Sequence, residues 1–273
     1  MASFRVGTIQ VETIVDAVHR NDPADFFVGQ PESAWGEWVA RDAEGLIHTP
    51  IQCLLVRVGE RLALLDTGIG ADQRSPEMPG VFGAPDGLGL ELARLGVSPE
   101  QIEVVVLSHG HSDHLGGTVD PATASPRFPR ARYVIAAADV RHFTVDDHLA
   151  EGGFPAGQLE ALRAHGRLEP SNGEIEVLPG VRLLPAPGHT PGHQCIALTS
   201  GGEQGLYIGD LVHQAAQINH PEWYPIFDWM PPMAMQSRKR VLEQARRDGT
   251  LVLSAHLPVP GVGHIGDRWL PLK

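Results

Sequence analysis

Cysteine is almost missing from this chain, which has only Cys53 and Cys195 among 273 residues. Two cysteines cannot build the several bridges of a disulfide-stapled fold. Neither cysteine belongs to a CxxC pair, which would indicate a redox site or a zinc ribbon. We therefore expect both side chains to be buried and reduced.

Positive charge is also scarce, because 21 Lys and Arg face 33 Asp and Glu and leave a formal net charge of -12. Such a surface repels phosphate backbones, which argues against a broad nucleic-acid interface. A small molecule is the partner we expect instead.

Long apolar runs are absent as well. No run approaches the roughly 20 residues that cross a bilayer. The segment 1–20 lacks the basic start and the uninterrupted apolar stretch of a secretory signal. The sequence therefore predicts no membrane partner and a cytoplasmic location.

The chain has enough hydrophobic residues, 42% of the total, to fill one core, and a single domain over 1–273 is expected. Short apolar runs that end in turn residues predict strands at 53–58, 61–65, 104–107, 132–135, 181–184 and 251–253. Segments rich in helix-forming residues predict helices at 87–95, 158–165 and 232–248. This alternation indicates an α/β protein, or α+β by some schemes.

A weak internal repeat refines this expectation. The letters QCLL at 52–55 precede a Gly-Glu turn and LALLD, and QCIA at 194–197 precede a Gly-Glu turn and LYIGD. Two such hairpins in separate halves favour two packed sheets, with the aspartates meeting at one edge. Chance similarity between two hairpins is the alternative.

The strongest chemical signal is LSHGHSDHLGG, in which four ligand-type side chains follow the predicted strand 104–107: His109, His111, Asp113 and His114. Imidazoles and carboxylates without thiolates are typical of catalytic sites for Zn²⁺, Mn²⁺, Fe or Co. A histidine-rich surface loop is the alternative, which the preceding buried strand disfavours.

Three further ligand-type residues follow predicted strands. His189 lies in PAPGHTPGH, Asp210 ends GLYIGD, and His256 lies in LSAHLPVPGVGHI. Loops at strand ends commonly carry functional residues in layered α/β proteins. The three are therefore candidates for the same metal site.

These motifs resemble the metallo-β-lactamase superfamily, whose HxHxDH, later His, later Asp and final His appear here in order. The resemblance implies a four-layer αββα sandwich and two divalent ions, zinc first, with Mn, Fe or Co as alternatives. It assigns one ion to His109, His111 and His189 and the other to Asp113, His114 and His256, with Asp210 bridging both. Asp66, in LLDTG, is expected to orient a metal-binding imidazole, or else to cap a turn.

The resemblance also implies a reaction, in which a hydroxide that bridges the two ions attacks a lactone or ester carbonyl. The segments GDLVH, HPEW and AHLPVPGVGHI are similar to those of acyl-homoserine lactonases and methyl-parathion-type organophosphate hydrolases. Lactonase activity is the first expectation. An organophosphate triesterase and a non-hydrolytic metal-binding or redox module are the alternatives.

Three more histidines are interpreted individually. His213 stands where related lactonases carry a tyrosine, and it is a candidate catalytic proton donor beside Asp210, or a loop hydrogen-bond partner. His193 is expected to brace the turn of His189. His264 is a candidate for the substrate pocket.

Aromatic residues are few but clustered. Four of them after Asp210 are predicted to wall an apolar pocket for a hydrophobic substrate: Trp223, Tyr224, Phe227 and Trp229. A core contact or a homodimer contact is the alternative. A second cluster near the N-terminus is expected to cap the site or to contact a partner subunit: Phe26, Phe27, Trp35 and Trp38.

Overall fold

The computed structural model describes residues 2–70, 80–84, 86–144 and 157–272. The strands are β1 (Ala2–Val6), β2 (Ile9–Asn21), β3 (Ile47–Val58), β4 (Arg61–Leu65), β5 (Val81–Phe82), β6 (Ile102–Val106), β7 (Val119–Asp120), β8 (Ser125–Pro126), β9 (Arg132–Ala136), β10 (Leu168–Ser171), β11 (Ile175–Leu178), β12 (Val181–Pro185), β13 (Gln194–Ser200), β14 (Glu203–Tyr207), β15 (Leu251–Leu253), β16 (Val262–Ile265) and β17 (Trp269–Pro271). The α-helices are α1 (Glu32–Trp35), α2 (Gly87–Arg94), α3 (Ser112–Leu115), α4 (Ala137–Phe143), α5 (Gln158–Ala164), α6 (Ala216–Asn219) and α7 (Pro231–Asp248).

The strands form two large sheets. The first has the order β1-β2-β3-β4-β6-β9-β10, with β5 paired to β2, and the second runs in order from β11 to β17. Each sheet is mixed: β4, β6, β9 and β10 are parallel in the first, and β14 pairs in parallel with β15 in the second. A separate small hairpin joins β7 to β8.

The two sheets pack face to face because their strands carry apolar side chains on both faces. On β6, Val104 and Val106 point to the second sheet and share a core with Ile196 of β13 and Tyr207 of β14. The alternate residue Val105 points to the other face, where it packs with α2. This alternation follows from the two-residue period of a strand.

Helices cover the outer face of each sheet. Leu88 and Leu92 of α2, with Leu159 of α5, pack on the first sheet. Val241 and Leu242 of α7 pack on the second sheet. The result is the helix-sheet-sheet-helix sandwich that the sequence predicts.

The predicted hairpin repeat is present in the structure, one copy in each sheet. The backbone N–H of Gln52 donates to the carbonyl of Ala255 at 3.1 Å, and that of Gln194 donates to Ser108 at 2.9 Å. Each hairpin thus bonds to the residue that immediately precedes a site histidine, His256 or His109. The two hairpins thus occupy equivalent positions beside the site, and their origin by duplication stays a prediction.

All six predicted strands and all three predicted helices are found, and their ends agree within about two residues except at the start of β3, which begins at Ile47 instead of Cys53. Several other strands were not predicted, among them β1 and β2. In β2 the pairing register with β3 shifts between Val15 and Ala17, which interrupts the alternation that identifies a strand in a sequence. Both cysteines are buried and unbridged, as expected.

None of the helices in the described parts of the chain combines the length and the apolar character that a bilayer span requires.

Candidate metal centre

The predicted ligands come together at one edge of the sandwich, in loops that follow β6, β12, β14 and β15. The loop after β6 lies against the LLDTG loop, and the approach is close because two glycines stand there. A Cβ added to Gly116 would lie 2.1 Å from the carbonyl oxygen of Ile69, and one on Gly117 would lie 2.2 Å from that of Thr67. A side chain at either position would therefore push the loop away from the site.

One group of four residues surrounds a first potential ion position. The Nδ1 atom of His111 lies 3.0 Å from Nε2 of His109 and 2.9 Å from Nε2 of His189. Oδ2 of Asp210 lies 3.2 Å from Nε2 of His189 and 3.7 Å from Nε2 of His109. The four ligand atoms lie within 4.8 Å of one another.

A second group of four surrounds another position and shares Asp210. Its other oxygen, Oδ1, lies 2.9 Å from Nε2 of His114 and 3.0 Å from Nε2 of His256. Oδ2 of Asp113 lies 3.4 Å from Nε2 of His256. The structure thus brings all seven predicted ligands together, in the two sets that the resemblance implies.

Two buried ligand atoms without hydrogen-bond partners indicate a metal site independently of the family resemblance. Nε2 of His114 and Oδ1 of Asp210 are both buried and have no hydrogen-bond partner in the described part of the chain, although they are 2.9 Å apart. Leaving buried polar atoms unpaired costs about 1–3 kcal/mol each. A divalent cation would take both atoms as ligands.

The electrostatics of the ligands suit cation binding. Burial lowers the pKa of His111 to about 3 and that of His109 well below its usual value, so both imidazoles are neutral at pH 7. Burial alone would raise the pKa of Asp210, but His114 and His256 beside it hold that pKa well below its usual range. Burial disfavours charge on the other three imidazoles as well, yet the carboxylate of Asp210 raises the pKa of His114 and of His256, and raises that of His189 to about 9. A bound cation would displace protons from these three imidazoles, because neutral imidazoles and ionised carboxylates are the forms that bind metals.

Asp66 orients one of these imidazoles, as the sequence predicts. Its Oδ2 accepts from Nδ1 of His114 at 2.7 Å and from the hydroxyl of Tyr207 at 2.6 Å. Ser108 donates to the same oxygen at 2.8 Å and accepts from Nδ1 of His109 at 3.0 Å. Asp66 therefore fixes two histidines, one directly and one through Ser108.

Asp228 orients a third imidazole and was not predicted. Its Oδ1 accepts from Nδ1 of His189 at 2.9 Å, and its Oδ2 accepts from the buried guanidinium of Arg238 at 3.2 Å. Asp228 lies among the aromatic residues of 223–229, and that segment was interpreted as the wall of an apolar pocket. The burial of Arg238, which requires a counterion, is visible only in the fold, so the sequence offered no signal for Asp228.

Asp139 of α4 is a second acid that the sequence did not reveal. It accepts from the backbone N–H groups of Gly110 and Gly192 and from the hydroxyl of Thr190 at 2.8 Å. These bonds join the loop of His109 and His111 to the turn of His189. Asp139 therefore fixes the spacing of the first ligand group.

His193 supports the site in a different manner from the one predicted. Its Nε2 accepts from the backbone N–H of Asp210 at 3.1 Å, and its Nδ1 donates to the carbonyl of Ala186 at 3.0 Å. It thereby links Asp210 to the end of β12, in addition to bracing the turn that begins at His189.

His213 lies inside the site. Its Nε2 is 3.0 Å from Oδ2 of Asp210, and its backbone N–H donates to the side chain of Gln217 at 2.8 Å. Burial lowers the pKa of His213 to about 4, whereas the sequence argument assumed an imidazole that titrates near neutral pH. Its role as proton donor stays a prediction.

A cavity of about 720 Å³ opens above the ligands, and its walls correct part of the pocket prediction. Phe227 and Trp229 line it, as does Phe26 from the N-terminal cluster. Three predicted pocket residues are absent from its described lining: Trp223, Tyr224 and His264.

Trp223 and His264 belong to other environments, and Tyr224 is half-buried. Trp223 is buried in an aromatic cluster with Phe27 and Trp35, the core contact that was the alternative. The backbone carbonyl of Tyr224 accepts from Val28 at 3.0 Å in the same region. His264 lies on β16, where its Nδ1 donates to the carbonyl of Thr250 at 3.2 Å. Trp38 is exposed and contacts His220 edge to face.

Several polar lining residues were missed, among them His19, Asn21, Thr49 and His142. The first two lie on the unpredicted strand β2, so their proximity to the site required the fold.

Fold and site together define a metallo-hydrolase. A family model described as the metallo-beta-lactamase superfamily matches residues 47–256, and the chain belongs to that superfamily.

Similar proteins include lactonases. An N-acyl homoserine lactonase of Bacillus cereus is 27% identical over 222 residues, which is 77% of this chain and 82% of that protein. A probable metallo-hydrolase of Mycobacterium tuberculosis is 32% identical over 186 residues, covering 61% of this chain and 58% of the relative.

Solved structures agree on the fold. A probable metal-dependent hydrolase from Staphylococcus aureus has a TM-score of 0.88 at 20% identity, with 99% of each chain covered. AidC, a dizinc quorum-quenching lactonase in complex with a product, has a TM-score of 0.83 at 25% identity, covering 100% of this chain and 97% of the other.

Proposed function

We propose that this protein is a lactonase that binds two divalent cations, zinc first, and opens a lactone or ester by hydrolysis. The observation that carries the proposal is the position of Asp210. Its Oδ1 faces His114 and His256, and its Oδ2 faces His109 and His189. A carboxylate whose two oxygens face two ligand groups is suited to bridging a pair of ions.

The similar proteins support the choice of substrate. The relative from Bacillus cereus acts on N-acyl homoserine lactones, and AidC holds a product of that kind. The likeness to the Bacillus cereus lactonase extends over 77% of this chain, and the likeness to AidC extends over all of it.

The seven ligand candidates would hold the pair, one ion in each group. Bound there, the two cations would supply a bridging hydroxide as nucleophile at neutral pH and an electrophile for the carbonyl oxygen. The residues of the chain would hold the ligands in place, through Asp66, Asp228 and Asp139, and would exclude bulk water with the apolar walls Phe26 and Phe227. His213 stands beside Asp210 and lines the cavity, and we propose it as the group that would donate a proton to the leaving oxygen.

The test is metal content per chain measured together with turnover of γ-lactones, comparing the wild type with Asp210→Asn. We expect about two ions per chain in the wild type. In the variant we expect one or both ions to be lost and the lactone turnover to fall by about 100-fold or more. Asp267→Asn changes an exposed carboxylate and is the matched control.

A parallel assay with a paraoxon-like phosphotriester separates the two hydrolase alternatives. Two ions with lactone turnover well above phosphotriester turnover would support the lactonase. Two ions with phosphotriester turnover alone would contradict it, and fewer than two ions in an active wild type would contradict the bridged pair.

A further inference from the structure

Two buried glutamines occupy equivalent positions in the two repeated hairpins. Gln52 begins the QCLL segment in β3, and Gln194 begins the QCIA segment in β13. Both side chains are almost fully buried, and the proposed reaction uses neither of them. Because a buried amide needs hydrogen-bond partners, the bonds of each glutamine show which part of the molecule it holds.

The amide of Gln52 lies inside the loop that carries His256. Its Nε2 donates to the backbone carbonyls of Ser254 and Ala255, each at 3.3 Å, and to that of Leu257 at 3.0 Å. An amide nitrogen has only two protons, so the three carbonyls share them. Since these carbonyls lie on both sides of His256 in the chain, one side chain fixes the backbone before and after this ligand candidate.

The loop is shaped around the nitrogen of this amide. If the amide were turned over, its oxygen would face three carbonyl oxygens and be repelled. In the orientation observed, Oε1 of Gln52 is buried and has no donor among the residues that the structure describes. A Cβ added to Gly261 would lie 2.6 Å from Nε2 of Gln52 and 2.7 Å from the carbonyl oxygen of Ser254. The glycine therefore lets the loop close on the amide.

Gln194 holds the loop of His109 in the corresponding manner. Its Nε2 donates to the backbone carbonyl of Leu107 at 3.0 Å, and its backbone N–H donates to that of Ser108 at 2.9 Å. These two residues directly precede His109 in the chain. Gln52 likewise bonds to the loop of its histidine through both its main chain and its side chain. The two histidines belong to different ligand groups.

We propose that the two glutamines are positioning residues, each for one ion of the pair. Gln52 places His256 in the second ligand group, and Gln194 places His109 in the first. This inference rests on the two-ion site of the proposed function and adds the residues that hold each ion separately. Neither glutamine belongs to the described lining of the cavity, so substituting it acts on an ion position and not on a contact with substrate.

The test uses Gln52→Met and Gln194→Met, which remove the amide at nearly constant volume. Cadmium is the probe, because its nuclear magnetic resonance signal depends on the atoms bound to the ion. The first ligand group offers three nitrogens and one oxygen, and the second offers two of each, so two bound ions should give two signals. His189→Ala and His256→Ala assign the signals to the first and the second group.

We expect each methionine variant to weaken cadmium binding at its own ligand group. Gln52→Met should weaken the second group about 10-fold and change the first by less than about 2-fold. Gln194→Met loses a single side-chain bond and should weaken the first group roughly 3- to 10-fold. Weakening of the same group in both variants, or of neither group in either variant, would overturn the inference.

Leu92→Ala is the control for a general loss of stability. Leu92 packs between α2 and the first sheet, so its truncation should lower the melting temperature and leave both cadmium signals unchanged. If it weakened the second group as much as Gln52→Met does, the role of the glutamine would be merely structural and the inference would fail. Gln52→Asn retains the amide at a shorter reach and should show a smaller loss at the same group. It supplies the measurement if Gln52→Met does not fold.

These measurements need no turnover, which separates them from the test of the proposed function. If both ions bind and no lactone is hydrolysed, the lactonase proposal fails and the cadmium signals still decide on the glutamines. If the wild type binds one ion, the bridged pair fails, and hydrogen exchange in metal-free protein decides whether Gln52 positions His256. Gln52→Met should then speed exchange of the N–H groups of His256 and Leu257, which donate to Oγ of Ser254, and unchanged exchange would overturn the inference.

Discussion

Asp228 shows how one carboxylate serves the metal site and the core at the same time. It accepts from His189 and also neutralises Arg238, which is almost fully buried. We expect Asp228→Asn to weaken zinc affinity about 10–100-fold, because the imidazole loses its charged partner. Removing one member of a buried ion pair should also destabilise the fold by about 3–5 kcal/mol.

Competition with a chelator measures the affinity, and denaturant unfolding measures the stability. Asp86→Asn, which breaks the half-exposed pair with Arg127, is the control and should change zinc affinity very little. An unchanged zinc affinity in Asp228→Asn would show that the hydrogen bond to His189 does not tune the site.

The raised pKa of Asp139 leads to a prediction about how the stability of the protein depends on pH. Burial raises its pKa from 3.8 to about 6, although Thr190, Gly192 and Gly110 donate to it and oppose the shift. The native state therefore holds this proton at pH values where the unfolded chain has lost it, and Asp139 contributes less stability as pH rises from about 4 to 6. A shift of this size corresponds to roughly 3 kcal/mol.

Asp139→Asn does not titrate and supplies the reference. In metal-free protein, the unfolding free energy of the wild type minus that of the variant should fall between about pH 4 and 6 and then level off. A difference that stays constant over this range would mean that folding does not raise the pKa of Asp139.

Sequence reasoning found the residues of the site that lie close together in the chain or at strand ends. Four ligand-type residues lie within six consecutive positions after one strand, so their chemistry could be recognised without a fold: His109, His111, Asp113 and His114. Asp139 bonds to residues 29 and 53 positions away, and nothing local to it indicates those partners.

At the scale of elements, the segment between α6 and α7 forms an apolar rim at the cavity mouth. Ile226, Phe227 and Trp229 line the cavity, yet Ile226 is 60% exposed and Trp229 is 44% exposed. A substrate with an extended acyl tail would cover these side chains, and each fully buried CH₂ is worth about 0.8 kcal/mol.

We expect kcat/KM to rise about 2-fold per methylene with tail length, since a rim contact buries only part of each group. Ile226→Ser should flatten this slope and leave turnover of short-tailed lactones nearly unchanged. Leu90→Ser, an exposed leucine of α2, is the control. A series of lactones with graded tail lengths supplies the measurement, and an identical slope in Ile226→Ser would refute the rim contact.

The strands also show which elements could be predicted from the sequence pattern and which could not. Strands β4 and β15 were predicted with their observed bounds, because each is a short apolar run between turns. Strand β2 was missed because its bulge breaks the two-residue alternation, and with it the cavity-lining residues His19 and Asn21 were missed. Trp223 was assigned to the pocket because spacing alone cannot tell which way a loop side chain points.

For the whole molecule, removing metal should have a large effect on stability. Seven ligand candidates from four separate loops meet at the site, and their charges face one another directly. Ions that bind only the native state stabilise it by about 4 kcal/mol at a thousandfold excess over the dissociation constant. We expect chelation to lower the melting temperature by several degrees and zinc to restore it.

Calorimetric scans with and without a chelator provide the measurement. Asp210→Asn is the comparison, and its melting temperature should respond less to the chelator than that of the wild type. Equal responses of the two proteins would place the stabilising ion elsewhere.

The ligand candidates come from both halves of the chain, and each half carries one of the two matched hairpins. His109, His111, Asp113 and His114 come from the first half of the chain, whereas His189, Asp210 and His256 come from the second. Each ligand group draws two members from either half, so neither half alone could hold an ion in a four-residue shell. If the backbone were cut between β10 and β11, metal binding would therefore report whether the two fragments had associated.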